Sequence, residues 1–316
     1  MKNPALLVVP VLVLTLAACS APAPAAPTAA SITIDNCGYE LTVDSPPQRI
    51  VTIKSTSTEL LLALGLGDRI IGQAFPDGPV PQTLPQVEVA VISDFAPSEE
   101  AVLELEPDFV FGGWESNFTA EAAGERDELE ALGIGTYVSP AACKGENQPE
   151  RLSFDQLFDY IDEAGRIFGA EDAAAELIAA QQAELADITA DDSGRSALWW
   201  SSGTDTPYVG AGIGAPQLVL DTIGLTNIAA DVDDSWSAYN WEAVIAANPD
   251  VIVLVDATWN TAESKRAYLA SNPATANLDA VINERYLVVP FAAGEAGVRS
   301  VDAARDLAEQ LSALKL

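Results

Sequence analysis

The sequence predicts an α/β protein of two α/β lobes with mostly parallel sheets, joined by one long interdomain helix. One supporting observation is a unit that occurs twice, as E-A-V-L-E-L-E-P-D-F-V-F at residues 100–111 and as E-A-V-I-A-A-N-P-D-V-I-V at residues 242–253. In each copy a short helix with an acidic first turn stops before a proline, and an apolar strand follows. Units of this kind build parallel sheets, although two of them can also look alike by chance. Their agreement in register favours two similar lobes.

A second observation is a run of apolar residues at helical spacing from about Ser153 to Ala190. As one helix this run would be roughly 50 Å long, enough to traverse both lobes. The alternative is two helices of one domain, broken between Gly165 and Gly169, because glycine is costly inside a helix. The predicted organisation is an N-terminal lobe at residues 31–152, a linking helix at 153–190 and a C-terminal lobe at 191–316.

The start of the chain predicts export. Lys2 precedes a short apolar run that ends in L-A-A-C at Cys19, which is typical of a signal peptide at residues 1–19 and too short for a membrane-spanning helix. The segment resembles a bacterial lipobox, which implies lipidation of Cys19; an ordinary signal with an incidental cysteine is the alternative. Residues 20–30, S-A-P-A-P-A-A-P-T-A-A, predict a disordered tether. The expected location is the outer face of the cytoplasmic membrane.

Charge and composition narrow the possible partners. The chain has 47 acidic and 15 basic residues, a formal charge of −32 and no histidine. A nucleic-acid partner is therefore not expected, since it would require a basic surface. The lack of histidine removes the commonest metal ligand and the usual general base. No metal and no cofactor are predicted.

Two cysteines remain once Cys19 is set aside. Cys37 and Cys143 form an even pair in an exported protein, and cysteines outside the cell are mostly paired. We therefore expect a disulfide, with two small buried thiols as the alternative. Two cysteines without histidine make a poor metal site.

Both lobes open with the same succession of elements, a β-branched or aromatic strand, a polar or glycine-rich loop and an apolar helix that ends at glycine. In the first lobe these are residues 49–53, 54–59 and 60–67, and in the second lobe residues 195–200, 201–214 and 218–225. The internal likeness of the two halves thus extends beyond the repeated unit.

Two segments of the first lobe resemble a known family, R-I-V-T-I-K-S-T-S-T-E-L-L-L-A-L-G-L-G-D-R-I-I-G at residues 49–72 and P-S-E-E-A-V-L-E-L-E-P-D-F-V-F at residues 97–111. They are similar to the iron-siderophore and vitamin B12 class of ABC-transporter substrate-binding lipoproteins. The resemblance runs from Arg49 to the end of the chain. It implies a monomer that captures a small molecule between its lobes and delivers it to an ABC permease and its ATPase.

Further segments resemble an actinobacterial subgroup of this class that is proposed to carry a precursor of the deazaflavin coenzyme (factor 420) without its glutamate tail. They are K-S-T-S-T-E, S-P-A-A-C-K, S-S-G-T-D-T-P-Y-V-G-A-G-I-G-A-P-Q, W-N-T-A-E and P-F-A-A-G-E-A-G-V-R. The resemblance implies a small aromatic anionic ligand, with the deazaflavin precursor favoured. Ferric siderophores and cobalamin-type corrinoids are the alternatives.

Ligand residues are expected where strands end and helices begin, because parallel sheets present their loops there. Aromatic residues are concentrated in these loops, and aromatic walls with a few polar groups suit a flat, partly polar molecule. Any single tryptophan among them has core packing as its alternative. The predicted ligand-binding residues are Lys54, Ser55, Thr56, Phe75, Trp114, Glu115, Asn117, Ser202, Tyr208, Trp236, Tyr239, Trp241, Trp259, Asn260, Phe291 and Arg299.

Two cations in this set predict how an anionic substituent would be held. Lys54 ends the first strand and Arg299 follows a glycine-broken loop, so one positive group is expected to face the cleft from each lobe. A phosphodiester or carboxylate would then bridge them, whereas a strongly anionic ferric catecholate would require more arginine. The alternative is that both cations form salt bridges.

The glutamates that begin the two repeated units have a predicted role in docking. The family places an acidic residue on each lobe against arginines of the permease, and the resemblance assigns these places to Glu100 and Glu242. Exposed charge pairs of this kind set docking orientation and rate. Each glutamate can also simply favour the helix N-terminus that carries it.

Two other classes of function are less well supported. An enzyme would use Ser55, Ser57 or Ser202 as nucleophile, with Lys54 or a carboxylate as base, or Asp94 and Glu115 as a carboxylate pair. Because no base is evident, the chain is predicted not to be an enzyme. A lipoprotein that only scaffolds other proteins would have no aromatic cleft.

Overall fold

The computed structural model describes residues 31–314. The predicted signal peptide, the predicted lipidation site Cys19 and the predicted tether at residues 20–30 lie outside the described residues, so the lipid anchor stays a prediction. None of the helices within the described range is long and apolar enough to cross a membrane.

The N-terminal lobe consists of a β-hairpin and a five-stranded parallel sheet with helices around it. Its strands and helices are β1 Ile32–Asn36, β2 Tyr39–Val43, β3 Ile50–Ile53, α1 Ser55–Ala63, β4 Ile70–Ala74, β5 Val91–Ser93, α2 Glu99–Leu103, β6 Phe109–Gly112, α3 Arg126–Ala131 and β7 Gly135–Val138. The strand order is β5-β4-β3-β6-β7. Every residue of β3 and β6 is buried, as expected for central strands covered on both faces.

The prediction of one long linking helix is wrong. The segment forms two helices, α4 Phe154–Phe168 and α5 Glu171–Ala186, which pack against each other. Gly169 ends α4 in the left-handed conformation, with φ of 65° and ψ of 45°, which glycine adopts without steric cost. The amide of Ala170 then bonds the carbonyl of Gly165 at 2.7 Å. The break lies in the interval that the alternative prediction identified.

The two linking helices attach to different lobes. On α4, Phe168 packs its ring against Phe109 of β6, with ring centroids 5.3 Å apart, and Glu163 accepts a hydrogen bond from Tyr137 at 2.7 Å. On α5, Gln181 donates to the carbonyl of Val298 in the C-terminal lobe at 2.8 Å. The helix pair therefore connects the lobes through side-chain packing on both sides.

The C-terminal lobe contains a six-stranded mixed sheet. Its elements are β8 Ser196–Ser202, β9 Tyr208–Gly210, α6 Ala215–Thr222, β10 Thr226–Asn227, β11 Trp236–Ala238, α7 Trp241–Ala247, β12 Val251–Asp256, α8 Ala262–Ser271, α9 Asp279–Ile282, β13 Tyr286–Pro290 and α10 Ser300–Ala313. The order is β11-β9-β8-β12-β13, with β10 beside β8. Strands β8, β10, β12 and β13 are parallel, whereas β9 and β11 run antiparallel to their neighbours.

The repeated unit occupies the same place in both lobes. Helix α2 leads into β6, which pairs with β3, the strand of its sheet that comes first along the chain. Helix α7 leads into β12, which pairs with β8, the first strand of the other sheet. Glu100 and Glu242 are exposed in the first turns of α2 and α7. Two α/β lobes with mostly parallel sheets are therefore confirmed.

A disulfide joins Cys37 and Cys143, whose Cα atoms are 5.2 Å apart. Cys37 lies in the turn of the β1–β2 hairpin, and Cys143 lies in the loop that follows β7. The bond therefore ties the hairpin to a loop at the carboxyl edge of the parallel sheet.

Candidate functional site

A cavity of about 320 Å³ lies between the two lobes. In the N-terminal lobe its walls come from the first turn of α1 and the loops after β6 and β7. In the C-terminal lobe they come from β8, β9 and β11, the start of α6 and the segment after β13. Most of these segments follow the carboxyl ends of parallel strands, where ligand sites are expected. The lining residues are Thr56, Gly113, Trp114, Glu115, Ser116, Ser139, Ala141, Ala142, Lys144, Ser201, Tyr208, Gly214, Ala215, Ser235, Trp236, Phe291, Glu295 and Ala296.

Four aromatic rings from both lobes wall this cavity. The N-terminal lobe supplies Trp114, and the C-terminal lobe supplies Tyr208, Trp236 and Phe291. Antiparallel pairing of β9 with β11 brings Tyr208 and Trp236 together, so that their rings are nearly parallel, at 10°, with centroids 6.4 Å apart. A flat ligand would find extended aromatic faces here.

Trp114 is held in place from several directions. Its backbone amide donates to Oδ1 of Asn117 at 2.9 Å, and its ring meets Phe75 edge-on with centroids 5.5 Å apart. Its Nε1 donates across the cleft to Oε2 of Glu295 at 3.1 Å. Burial raises the pKa of the Glu295 carboxyl, and the nearby charge of Lys54 opposes that shift. One cavity wall is thus tied to the opposite lobe.

A second contact across the cleft involves Lys144. Its Nζ forms an ion pair with Oδ1 of Asp234 in the other lobe at 2.9 Å, and its backbone amide donates to Oε2 of Glu115 at 2.7 Å. Burial raises the pKa of Asp234, but hydrogen bonds from Lys144 and from backbone amides outweigh this and bring it below its usual value. Both side chains of the ion pair are about half exposed, so the pair lies at the rim of the cavity.

The expectation that Lys54 and Arg299 offer free positive charge to the cleft is wrong. The Lys54 side chain is fully buried and pairs with Asp77, and the Arg299 guanidinium forms a two-point pair with Glu59. Neither Lys54 nor Arg299 lines the cavity. Each cation is neutralised because a carboxylate of the N-terminal lobe lies against it, as the salt-bridge alternative proposed. The cation that does line the cavity is Lys144.

Some predicted aromatic residues lie elsewhere. Trp241 is 9% exposed and packs in the C-terminal core against Trp200, with ring centroids 5.2 Å apart. Tyr239 packs beside the same core and donates to the carbonyl of Ile228. Trp259 is 65% exposed beyond the cavity wall, where its ring meets that of Phe291. The location of an aromatic residue in a strand-end loop was therefore not enough to predict whether its ring enters the cleft.

The remaining predicted residues do not line the cavity, and some of them contact residues that do. Ser55 and Asn117 are buried, and their side chains hold Asp77 and the backbone of Trp114. Phe75 backs Trp114, Ser202 accepts a hydrogen bond from Trp200 through its carbonyl, and the carbonyl of Asn260 accepts one from Lys265. Of the predicted set, the residues that line the cavity are Thr56, Trp114, Glu115, Tyr208, Trp236 and Phe291.

Several lining residues are missing from the predicted ligand-binding set, chiefly Lys144 and Glu295 with the hydroxyls of Ser116, Ser139, Ser201 and Ser235. Most of them lie in loops or strand ends at the carboxyl edges of the sheets, where the strand-end rule selects their segments, whereas Ser235 directly precedes β11. Lys144 directly follows Cys143, and a cysteine expected to anchor its loop is a usable signal that its neighbour is fixed in place.

Two of the residues considered for catalysis, Ser57 and Lys54, are engaged in other contacts. Ser57 is buried and its Oγ donates to the carbonyls of Ile53 and Lys54. Lys54 pairs with Asp77 rather than with a serine hydroxyl. Among the described residues there is no group of three or more Cys, Asp or Glu side chains arranged to hold a metal ion.

Several known proteins resemble this chain in sequence. The sequence profile of the periplasmic binding protein family matches residues 50–293. A Bacillus subtilis protein described as an uncharacterized ABC transporter substrate-binding lipoprotein is 28% identical over 288 residues, which cover 89% of this chain and 85% of the relative. A cobalamin-binding protein of Halobacterium salinarum is 28% identical over 69% of this chain and 57% of its own length.

A solved structure shares the whole fold. It is described as an ABC-type Fe3+-hydroxamate transport system from Saccharomonospora viridis, and it superimposes with a TM-score of 0.75 at 28% sequence identity. The superposition covers 89% of this chain and 99% of the solved chain.

Proposed function

The chain belongs to the periplasmic binding protein family, and from this premise we propose a function and a ligand class. It acts as the substrate-binding component of an ABC importer and captures a compact, flat aromatic molecule between its lobes. The observation that carries the ligand class is the set of four rings, from both lobes, around one cavity of about 320 Å³. That volume is at the small end of the range for small-molecule sites.

The polar groups of the cavity refine the ligand class. Glu115, Glu295 and Lys144 line it, and Lys144 is already paired with Asp234. A strongly anionic ligand would meet two carboxylates and one neutralised cation, so a multiply charged ferric catecholate fits poorly. A fused aromatic ring with amide-like donors and a single anionic tail fits better, with the tail at the rim beside Lys144. The deazaflavin precursor without its glutamate tail has this chemistry, and it is the ligand we favour.

A corrinoid or a ferric hydroxamate is the second candidate. It is favoured by the names of two similar proteins, one called cobalamin-binding and one called an Fe3+-hydroxamate transport system. Such bulkier ligands would require the contacts Trp114–Glu295 and Lys144–Asp234 to open. A bulky ligand should therefore break these two inter-lobe contacts when it binds, whereas a compact flat ligand should leave them in place.

Replacing Trp236 by alanine is expected to weaken binding of the deazaflavin precursor by about 2 kcal/mol, or roughly thirtyfold in Kd, because an aromatic wall of a desolvated site is removed. Trp259→Ala is the matched control, since Trp259 is 65% exposed and does not line the cavity. It should change Kd by less than about threefold. Titration followed by tryptophan fluorescence and calorimetry measures both.

The same titration, run with a ferric hydroxamate siderophore and with cobinamide, decides between the candidates. Tight binding of one of these and none of the deazaflavin precursor would replace the favoured ligand. If none of the three binds at micromolar concentration, the ligand class is wrong. If Trp259→Ala abolishes binding while Trp236→Ala leaves it unchanged, the site itself is misplaced.

Docking to a permease is proposed for Glu100 and Glu242. Both are exposed in the first turn of a short helix, one on each lobe, so their carboxylates are accessible to a partner. Charge reversal at both positions, Glu100→Lys with Glu242→Lys, is expected to reduce uptake into cells or proteoliposomes at least about tenfold while leaving ligand Kd unchanged. Glu263→Lys, at the N-terminus of α8, is a control of the same chemistry. Undiminished uptake by the double variant would contradict the docking role.

Anchoring to the membrane through Cys19 and action as a monomer belong to the same proposal. The first is supported by the L-A-A-C signal and by the lipoprotein name of the Bacillus subtilis relative. Mass spectrometry of the chain purified from membranes, which should show a lipid on Cys19, tests it.

A further inference from the structure

Lys54 has a backbone conformation that is unusual for lysine. Its φ is 81° and its ψ is 151°, a region that is almost confined to glycine because a Cβ atom is crowded there. Strain of this kind persists only when the surrounding structure enforces it, and it is concentrated at functional sites. In this chain the strained residue is a lysine that directly follows β3, and its side chain packs against aromatic rings of both lobes.

The Lys54 ammonium lies among aromatic rings. Its Nζ is 3.6 Å from the ring centre of Trp114, 4.1 Å from that of Phe75 and 5.2 Å from that of Phe291. The lysine is fully buried, so water does not weaken these cation–π contacts. Asp77 supplies the counter-charge, and it is fixed by the backbone amide and hydroxyl of Ser55.

Two of these three rings belong to the ligand cavity, and they come from different lobes. Trp114 lines it from the N-terminal lobe and Phe291 from the C-terminal lobe, whereas Lys54 itself does not line it. The packing around the lysine is tight, because a Cβ atom added to Gly113 would lie 2.6 Å from the Cβ of Lys54. The Lys54 ammonium is therefore a fixed charge beside two rings that line the cavity, Trp114 from one lobe and Phe291 from the other.

From this geometry we propose that Lys54 is a positioning residue that sets the orientation of Trp114 and Phe291 through cation–π contacts. It determines the shape of the slot that receives an aromatic ligand without touching the ligand. The proposal deepens the proposed function, since the slot it shapes is that binding site. The competing explanation is that Lys54 only neutralises Asp77.

Three variants separate these explanations. Lys54→Met removes the charge at similar length but leaves the Asp77 carboxylate unpaired. Asp77→Asn removes the counter-charge alone, and the double variant Lys54→Met with Asp77→Asn removes both charges, so that no lone charge remains. The double variant is expected to regain most of the melting temperature that Lys54→Met loses. It should not regain the aromatic order.

Aromatic order is measured without a ligand. Both variants that lack Lys54 are expected to lose intensity in the near-ultraviolet circular dichroism of tryptophan and to show shifted tryptophan emission. The same comparison in a Trp114→Phe background should show a much smaller change, which assigns the signal to Trp114. Lys265→Met is the matched control: this second buried lysine bonds the carbonyls of Val255 and Asn260, and it is expected to lower the melting temperature while preserving the Trp114 signal.

A wild-type spectrum in the double variant would overturn the proposal, because the lysine would then serve only to neutralise Asp77. A spectral change that persists unaltered in the Trp114→Phe background would overturn it as well. With the deazaflavin precursor as probe, the double variant is expected to bind about tenfold more weakly than the wild type. If the wild type does not bind this probe, the proposed ligand fails, but the spectral comparison still decides the role of Lys54.

Discussion

Replacement of Arg299 by methionine is expected to lower the free energy of unfolding by about 3–5 kcal/mol at neutral pH, because it leaves a buried carboxylate without its partner. The Glu59 side chain is 2% exposed and that of Arg299 is 12% exposed. Arg299 also donates to the carbonyl of Pro79 at 2.9 Å. Urea titration of the mature protein, followed by far-ultraviolet circular dichroism, measures the loss.

The size of this loss should depend on pH. Burial raises the pKa of Glu59, and the hydrogen bonds and charge of Arg299 oppose that shift, so removing Arg299 should raise the pKa further. A carboxyl group with a raised pKa in the folded state contributes stability at low pH that is lost as pH rises through that pKa. The penalty of Arg299→Met is therefore expected to be smaller near pH 4 than at pH 7.

Two controls isolate the buried pair. The double variant Glu59→Gln with Arg299→Met leaves no lone charge and should recover most of the stability. Arg305→Met removes a cation that is 40% exposed and should cost less than about 1 kcal/mol. A loss below 1 kcal/mol for Arg299→Met, equal at both pH values, would show that the pair contributes little.

The pair joins the lobes, since Glu59 lies on α1 and Arg299 precedes α10. Together with Trp114–Glu295 and Lys144–Asp234, it forms a set of side-chain contacts across the cleft. Lobes held at several points are expected to move little around a ligand, and this stays a prediction. A rotation of tens of degrees on ligand addition, measured by small-angle scattering or distance labels, would contradict it.

Local rules were sufficient to predict the units of the fold. The repeated unit at residues 242–253 contains most of its helix, the proline that stops it and the start of the following strand within a dozen residues, so its structure depends little on the rest of the chain. The break at Gly169 is different, because a glycine either continues or ends a helix according to what packs beside it. Here Pro46 lies where a side chain on residue 169 would be, 2.7 Å from an added Cβ atom.

The site could be predicted only to the level of loops. Trp236 and Trp241 are five residues apart, yet Trp236 lines the cavity while Trp241 packs in the core and donates to the carbonyl of Thr204. Sequence position places both at the same edge of the sheet, but the pairing of β11 with β9 decides which one enters the cleft. Likewise, the partners of Lys54 and Arg299 lie 23 and 240 residues away, beyond the reach of any local pattern.

Removal of the disulfide, by Cys37→Ala with Cys143→Ala, is expected to lower the free energy of unfolding by about 4–5 kcal/mol. The two cysteines are 106 residues apart, so the bond restricts a long loop of the unfolded chain. Treatment of the wild type with a reductant should reproduce the loss, whereas the same reductant should leave the variant unchanged. A difference below about 1 kcal/mol would show that the link does not stabilise the fold.

The same substitution should also weaken ligand binding, because the disulfide holds a wall of the cavity. Ala141, Ala142 and Lys144 flank Cys143 and line the cavity, and Lys144 makes the contact with Asp234 in the other lobe. With Cys143 released, this loop must be ordered by the ligand, which we expect to raise Kd about fivefold or more. Lys144→Met with the disulfide intact is the comparison: it removes the charge but keeps the loop fixed, and it should therefore have a smaller effect on an uncharged aromatic probe. Equal affinity of the wild type and the cysteine variant would mean that the loop keeps its place without the bond.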